Sequence, residues 1–202
     1  MTVSWSHTIT LPYPVSTVFP KLSEAQHMER LHLLPPVAQN FRLFASDKVQ
    51  LPKSGLQALF SPNHPASAEG LPRPRTMKAT EDVNTDPELG ETVERANIEW
   101  SGSLSNLFGL VRTPLFVKGS QIVEKHARTV LYESIVEASG VKELKVRTFE
   151  EVMLDDGSGN LKEGTKVKET VWVTSPFYLG LIVKLVSPGV HRGVMELYGQ
   201  LF

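Results

Sequence analysis

VKELKVRTFEEVMLDDGSGNLKEGTKVKETVWVTSP, residues 141–176, holds the clearest change of period in the chain. Val141 to Leu154 and Thr165 to Thr174 are rich in β-branched residues and read as strands. Between them, Asp155-Asp156-Gly157-Ser158-Gly159-Asn160 is a cluster of turn formers, so the pair predicts an antiparallel hairpin. After Ser175-Pro176 the period becomes helical and stays so to Phe202. Tyr178, Ile182 and Leu185 make one apolar stripe, which Val190, Val194, Leu197 and Leu201 continue. Ser187-Pro188-Gly189 predicts a kink or a break in that helix.

Leu115 to Glu124 and Arg128 to Glu137 precede the hairpin, the second joined to it by Ala138-Ser139-Gly140. Closely spaced strands of this kind predict a meander. Further upstream, Thr76 to Val83 and Glu91 to Ser101 are expected to pair, and Asn40 to about Leu51 is expected to be extended. At the start, Val3, Trp5, His7, Ile9 and Leu11 alternate with Ser4, Ser6, Thr8 and Thr10, the pattern of a half-buried strand. Val15, Val18, Phe19 and Leu22 then recur at helical spacing, with Pro20 keeping that helix short or kinked. A second short helix, about Ser23 to Leu34, carries Met28, Leu31 and Leu34 before Pro35-Pro36 stops it. Residues 52–75 contain five prolines and little periodicity, and read as a long loop or lid.

The 202 residues are expected to form one α+β domain, 1–202. With 41% hydrophobic and 21% charged residues, the composition is that of a chain with a packed core. A net charge of −1 and no run of Lys or Arg remove the electrostatic basis for nucleic-acid binding. The absence of cysteine excludes disulfides, thiolate catalysis and Cys-based metal sites. Met1 to Leu11 lacks the basic start and apolar core of a signal peptide. The longest apolar run, Phe177 to Val186, is too short for a bilayer and is broken by Lys184. The expectation is a cytoplasmic protein with no stable membrane insertion; protein partners are not legible.

The order of strand, two short helices, antiparallel strands and a long terminal helix spans nearly the whole chain. Two stretches are most specific. One is Ser6-His7-Thr8-Ile9 with Pro14-Val15-Ser16-Thr17-Val18-Phe19. The other is Arg147-Thr148-Phe149-Glu150-Glu151-Val152, then Gly164-Thr165-Lys166-Val167 and Thr174-Ser175-Pro176. In these the sequence resembles the START-like helix-grip superfamily of polyketide cyclases, lipid-transfer domains and pollen-allergen-like ligand binders. The resemblance implies a curved antiparallel sheet wrapped around a long C-terminal helix, with a small hydrophobic ligand held between them. It implies no single activity, because this fold hosts many.

Known catalytic motifs are missing. Gly157 to Gly164 matches neither dinucleotide nor P-loop spacing, and it lies between strands. His27 and His32, five apart, fall on different helix faces, and no HExxH or G-x-S-x-G occurs. No metal and no cofactor are expected. The candidates are polar residues on apolar faces: His7 between Trp5 and Ile9, Glu150 in parity with Leu144, Val146, Thr148 and Val152, and Glu169 in parity with Val167, Val171 and Val173. A carboxylate so placed either pairs with a cation or rises in pKa and becomes a proton donor. A single bulge would instead turn it to solvent. Tyr132, Tyr178, His191 and Tyr198, with Met195 between the last two at helical spacing, are candidates to orient a ligand. Trp5, Trp100, Phe108 and Ile182 are candidates for its apolar walls. For each, the plain role of core or surface residue is the commoner one.

Two functions from different classes fit. One is a cofactor-independent cyclase or isomerase, a pericyclase of Diels–Alderase type included, acting on a polyketide- or terpene-like intermediate. Confinement supplies much of such a barrier reduction, and His7, Glu150 or Glu169 would serve as acid or base. The other is a binding or transfer protein for a lipid, sterol or similar molecule, which needs the cavity but no proton shuttle.

Overall fold

Every strand pairing among the described residues is antiparallel, so the meander read in residues 115–174 extends to a whole sheet. The computed structural model describes residues 1–56, 71–80, 89–105, 112–155 and 157–202. In chain order it contains β1 (Thr2–Leu11), α1 (Val15–Ser23), α2 (Ala25–His32), β2 (Ala38–Leu43), β3 (Asp47–Pro52), β4 (Leu89–Ser105), β5 (Arg112–Glu124), β6 (Thr129–Val136), β7 (Val141–Asp155) and β8 (Leu161–Thr174). A 3-10 turn (Phe177–Leu179), α3 (Gly180–Glu196) and a 3-10 segment (Leu197–Leu201) close the chain. The strand order is β1-β8-β7-β6-β5-β4-β2, with β3 running along β4 beyond β2. This is the expected α+β helix-grip architecture: a curved, open antiparallel sheet, two early helices and a long C-terminal helix.

Both faces of the sheet are apolar at its centre. On one, Leu11, Val130, Phe149 and Val167 pack against Val15, Val18 and Leu22 of α1, Leu31 of α2, and Met195, Tyr198 and Leu201. On the other, Ile122, Leu131, Leu144, Val146 and Trp172 lie under Val49, Leu51, Leu56 and Leu71. Each fully buried Val or Leu contributes roughly 1.5–3 kcal/mol, so both layers matter to stability. Arg95 fastens the second layer. Its Nε donates to Asp47 Oδ1 at 2.8 Å, and its Nη1 donates to the carbonyls of Pro74 (2.6 Å) and Met77 (2.8 Å). The Glu124 carboxylate accepts from Leu56 N at 2.7 Å. It lies under Gly55, where a Cβ would come 2.5 Å from Oε1, and the φ of +65° at that position favours glycine.

Three sequence expectations change. The pairing of Thr76–Val83 with Glu91–Ser101 is not formed by its described residues: β4 is flanked by β2, β3 and β5, and Ala79 bridges Val49 instead. β3 already occupies that edge of β4. Residues 81–83 lie outside the described residues, as do 57–70 of the 52–75 stretch. Its described residues Leu56 and Leu71 pack on the face away from the helices. Second, α3 runs unbroken through Pro188. Proline removes one ladder bond, but Val183 before it and Met195 after it are buried and hold both halves in place. Third, the stripe Tyr178, Ile182 and Leu185 is solvent-exposed at 73%, 59% and 71%. The inward line is Gly180, Val183, His191, Met195 and Tyr198, so the helix is rotated from its apolar stripe toward its small and polar residues.

Candidate functional site

Register alone assembles the centre of the site. Glu169 on β8 pairs with His7 on β1 and with Arg147 on β7, which puts all three side chains in one row on the helix face. The C-terminal elements add His191 and Tyr198 from above. Glu169 is wholly buried. Its Oε1 accepts from Arg147 Nε and from the Tyr198 hydroxyl (2.7 Å); its Oε2 meets His191 Nε2 at 2.6 Å. Arg147 also donates to the Leu22 carbonyl and, from Nη2, to the Tyr198 oxygen at 2.7 Å. His7 stacks on His191 with ring centroids 5.3 Å apart and donates from Nε2 to the Pro188 carbonyl at 2.9 Å.

Charges follow from these contacts. Burial by itself would raise the Glu169 pKa, but Arg147, then Lys145 and His191, override it and hold the carboxyl well below its usual range. Burial likewise opposes the charge on Arg147, and Glu169 and Tyr198 outweigh it. Tyr198 is pushed well above the usual phenol value, first by burial and also by Glu169, so it remains an O–H donor. Glu169 is therefore an ionised, saturated carboxylate. Of the two outcomes open to a carboxylate on an apolar face, it takes the ion pair and is not a proton donor.

That carboxylate orients a histidine. With Nε2 directed to Glu169, the other ring nitrogen, Nδ1, is buried and has no hydrogen-bond partner among the described residues; in the neutral ring whose hydrogen is on Nε2, Nδ1 carries the lone pair. The Trp5 indole N–H is similarly buried without a partner, with its ring edge-on to His191 at 6.2 Å. A carboxylate–histidine pair with the distal nitrogen free is the arrangement of an oriented general base.

Beside it, β6 and α2 supply aromatic groups. Lys145 Nζ lies 5.1 Å over the Tyr132 ring, which packs tilted against His32 (5.4 Å); His32 stacks on Phe41 (5.5 Å). Burial, then the charges of Lys145 and Arg147, bring the His32 pKa down to about 3, so the ring is neutral. Burial raises that of Tyr132, whose hydroxyl faces Ser134 and the Trp100 indole.

The sequence candidates divide accordingly. His7, Glu169, His191, Tyr198 and Trp5 come together, and Tyr132 and Trp100 lie on the same face. Tyr198 and Met195 also belong to the core of the first layer. Tyr178 and Ile182 face solvent. Glu150 is also outside: its side chain is 67% exposed and pairs with Lys166 at 2.9 Å. Its parity with Leu144 and Val146 is real, but that is the face away from the helices, and Glu150 emerges beyond the layer that covers them. Phe108 lies outside the described residues. Sequence reasoning missed Arg147, Lys145 and His32. The cross-strand pairing of Arg147 with Glu169 was the available signal, since a buried carboxylate needs a cation opposite it.

The described residues also frame an open cleft of about 600 Å³ between the α1–α2 junction and β4–β5, lined by Ser23, Met28, Glu94, Ala96 and Gln121 among others. None of the sequence candidates lines it. Among the described residues no cluster of three or more His, Asp or Glu is arranged to hold a metal ion, and no helix is long and apolar enough to cross a membrane.

Comparison with known proteins finds structure rather than sequence relatives. No family model and no curated protein matches the chain. The Zhui aromatase/cyclase from a Streptomyces species superposes with a TM-score of 0.52 at 9% identity, covering 100% of this chain and 94% of that one. A protein of Thermus thermophilus superposes with a TM-score of 0.51 at 13% identity, covering 98% and 96%. At such identities the likeness is one of fold, and the fold it supports is the helix-grip.

Proposed function

We propose that the chain is a cofactor-independent cyclase or isomerase for a hydrophobic, carbonyl-bearing intermediate of polyketide or terpene type, with His191 as its base. The observation that carries this reading is the buried, unpartnered Nδ1 of His191 beside a Nε2 held by Glu169. The aromatase/cyclase among its fold relatives is consistent with it. Of the reactions expected from the sequence, proton abstraction next to a carbonyl uses such a dyad, whereas a pericyclic step needs no base. The proton on the α-carbon passes to Nδ1, and the C–H electron pair forms an enolate. The enolate carbon attacks a second carbonyl of the same chain, making one C–C bond, and the resulting alkoxide takes the proton back from the imidazolium. Glu169 stabilises that imidazolium without itself being protonated.

The test uses 2-tetralone, an apolar ketone, in D2O, with deuterium entry at its α-carbons followed by NMR. The protein should accelerate exchange over His191→Ala by at least about 100-fold, the lower range for general base catalysis. Equal rates for the two proteins contradict the assignment. A second reading, a binding or transfer protein, is favoured by the exposed apolar residues of the 3-10 turn before α3 and of its first turns, such as Phe177 at 92% and Leu181 at 69% exposure. Saturable binding of 2-tetralone without exchange would select it.

A further inference from the structure

Lys145 adds its charge beside Glu169 but makes no hydrogen bond to the dyad, and among the described residues no carboxylate lies within hydrogen-bond reach of its ammonium. Its side chain is only 16% exposed. The nearest carboxylate oxygens, on Glu143 at 3.7 Å and Glu169 at 3.9 Å, are beyond hydrogen-bond reach. Glu169 is moreover already shared by Arg147, Tyr198 and His191. Glu143 is one-third exposed and competes with water. An ammonium has three hydrogens to donate, and lysines that are mostly buried are normally paired. The Tyr132 ring beneath it fixes the Nζ position, and the neutral His32 beyond that ring adds no negative charge.

From this geometry we propose that Lys145 binds an anionic oxygen, carboxylate or enolate, carried by the apolar ligand. The inference rests on the reading of this face as the ligand site and adds its polar anchor. Nζ of Lys145 and Nε2 of His191 approach the same oxygen of Glu169, at 3.9 and 2.6 Å, so the two nitrogens are no farther apart than those distances together. A ligand whose oxygen meets Lys145 therefore carries its neighbouring carbons toward the His191 ring. Tyr132 and Trp100 lie alongside on the same face. The ligand class is thus an aliphatic or aromatic chain bearing an acid, or a dicarbonyl that ionises to an enolate.

The experiment is isothermal titration of the protein with decanoate, with 2,4-decanedione at a pH where it is ionised, and with methyl decanoate as the neutral control. The expected result is that both anions bind at least about tenfold more tightly than the ester, an advantage of a size a charge-assisted contact supplies. It should disappear in Lys145→Met and persist in Lys145→Arg, with circular dichroism and melting temperature showing both variants folded. Preference for decanoate alone, or for the enolate alone, identifies which source of the oxygen the site takes and supports the proposal. Equal affinity for anions and ester overturns it while leaving the apolar site standing. So does a preference that survives Lys145→Met. Failure of all three molecules to bind overturns it together with the ligand site on which it rests.

Discussion

Replacing Glu169 by Gln removes one charge and leaves the Arg147 guanidinium, 4% exposed, without its counter-ion. Arg147 keeps the Leu22 carbonyl and the Tyr198 oxygen, neither of which is charged. Breaking a buried ion pair from one side costs about 3–5 kcal/mol, because the surviving charge stays desolvated. Glutamine also presents one acceptor and one donor where the carboxylate presented two acceptors to Arg147, Tyr198 and His191, so at least one of those donors is left unmet. For a chain of this length about 4 kcal/mol lowers the melting temperature by roughly 8–16 °C. Urea unfolding followed by circular dichroism measures it, with the slope checked for constancy. The double variant Arg147→Met/Glu169→Leu should recover most of the loss, since two apolar groups leave no uncompensated charge. A Glu169→Gln loss below about 1 kcal/mol, or a double variant as costly as the two single ones together, would falsify the buried network. Acid tests the same pair. Because the folded carboxyl lies well below 4.5, its stabilisation is complete above that pH and is lost as pH falls through the lower folded value.

His32 titrates at about 3 when folded and ordinarily near 6.5, so the unfolded chain takes up the proton first and stability falls between those values. At pH 5 the loss relative to pH 7.5 is about 2 kcal/mol, and His32→Phe should show markedly less difference in urea midpoint between those two pH values. Gly119→Ala brings a Cβ within 2.7 Å of the Tyr132 hydroxyl and 2.8 Å of its ring. The ring must move, which predicts a loss of about 1–3 kcal/mol in urea and a changed near-ultraviolet spectrum. Leu181 and Leu185 are exposed at 69% and 71%, and their replacement by Glu should cut the fluorescence of an added anilinonaphthalene dye without lowering the urea midpoint. An unchanged dye signal would place the apolar surface elsewhere.

The fold was legible because strand spacing and the change of period after Ser175-Pro176 need only local information. Facing was not. Leu144 and Val146 alternate with Lys145 and Arg147, and both sets are wholly or largely buried, because the sheet carries apolar layers on both sides. Alternation therefore separates two faces without saying which one the helices cover, so the parity of Glu150 with Leu144 and Val146 does not reveal that it faces solvent. The same limit applies to α3, whose most apolar stripe faces outward while Gly180, Val183 and His191 face in. Glu169 and His7 were identifiable on their strands, but their partners come from elsewhere. Arg147 needs the β7–β8 register, His191 needs the rotation of α3, and His32 reaches Tyr132 only when α2 packs on the sheet.

General-base action at this site requires that Glu169 hold the Nε2–H of His191 and leave Nδ1 free to take a proton. Nitrogen-15 NMR of the histidine-labelled protein, with His191 assigned by its loss in His191→Ala, reads that arrangement directly. The expected spectrum at neutral pH is that of a His191 ring with its hydrogen on Nε2 and an unprotonated Nδ1, a preference that weakens in Glu169→Gln. A neutral ring with its hydrogen on Nδ1 would contradict it.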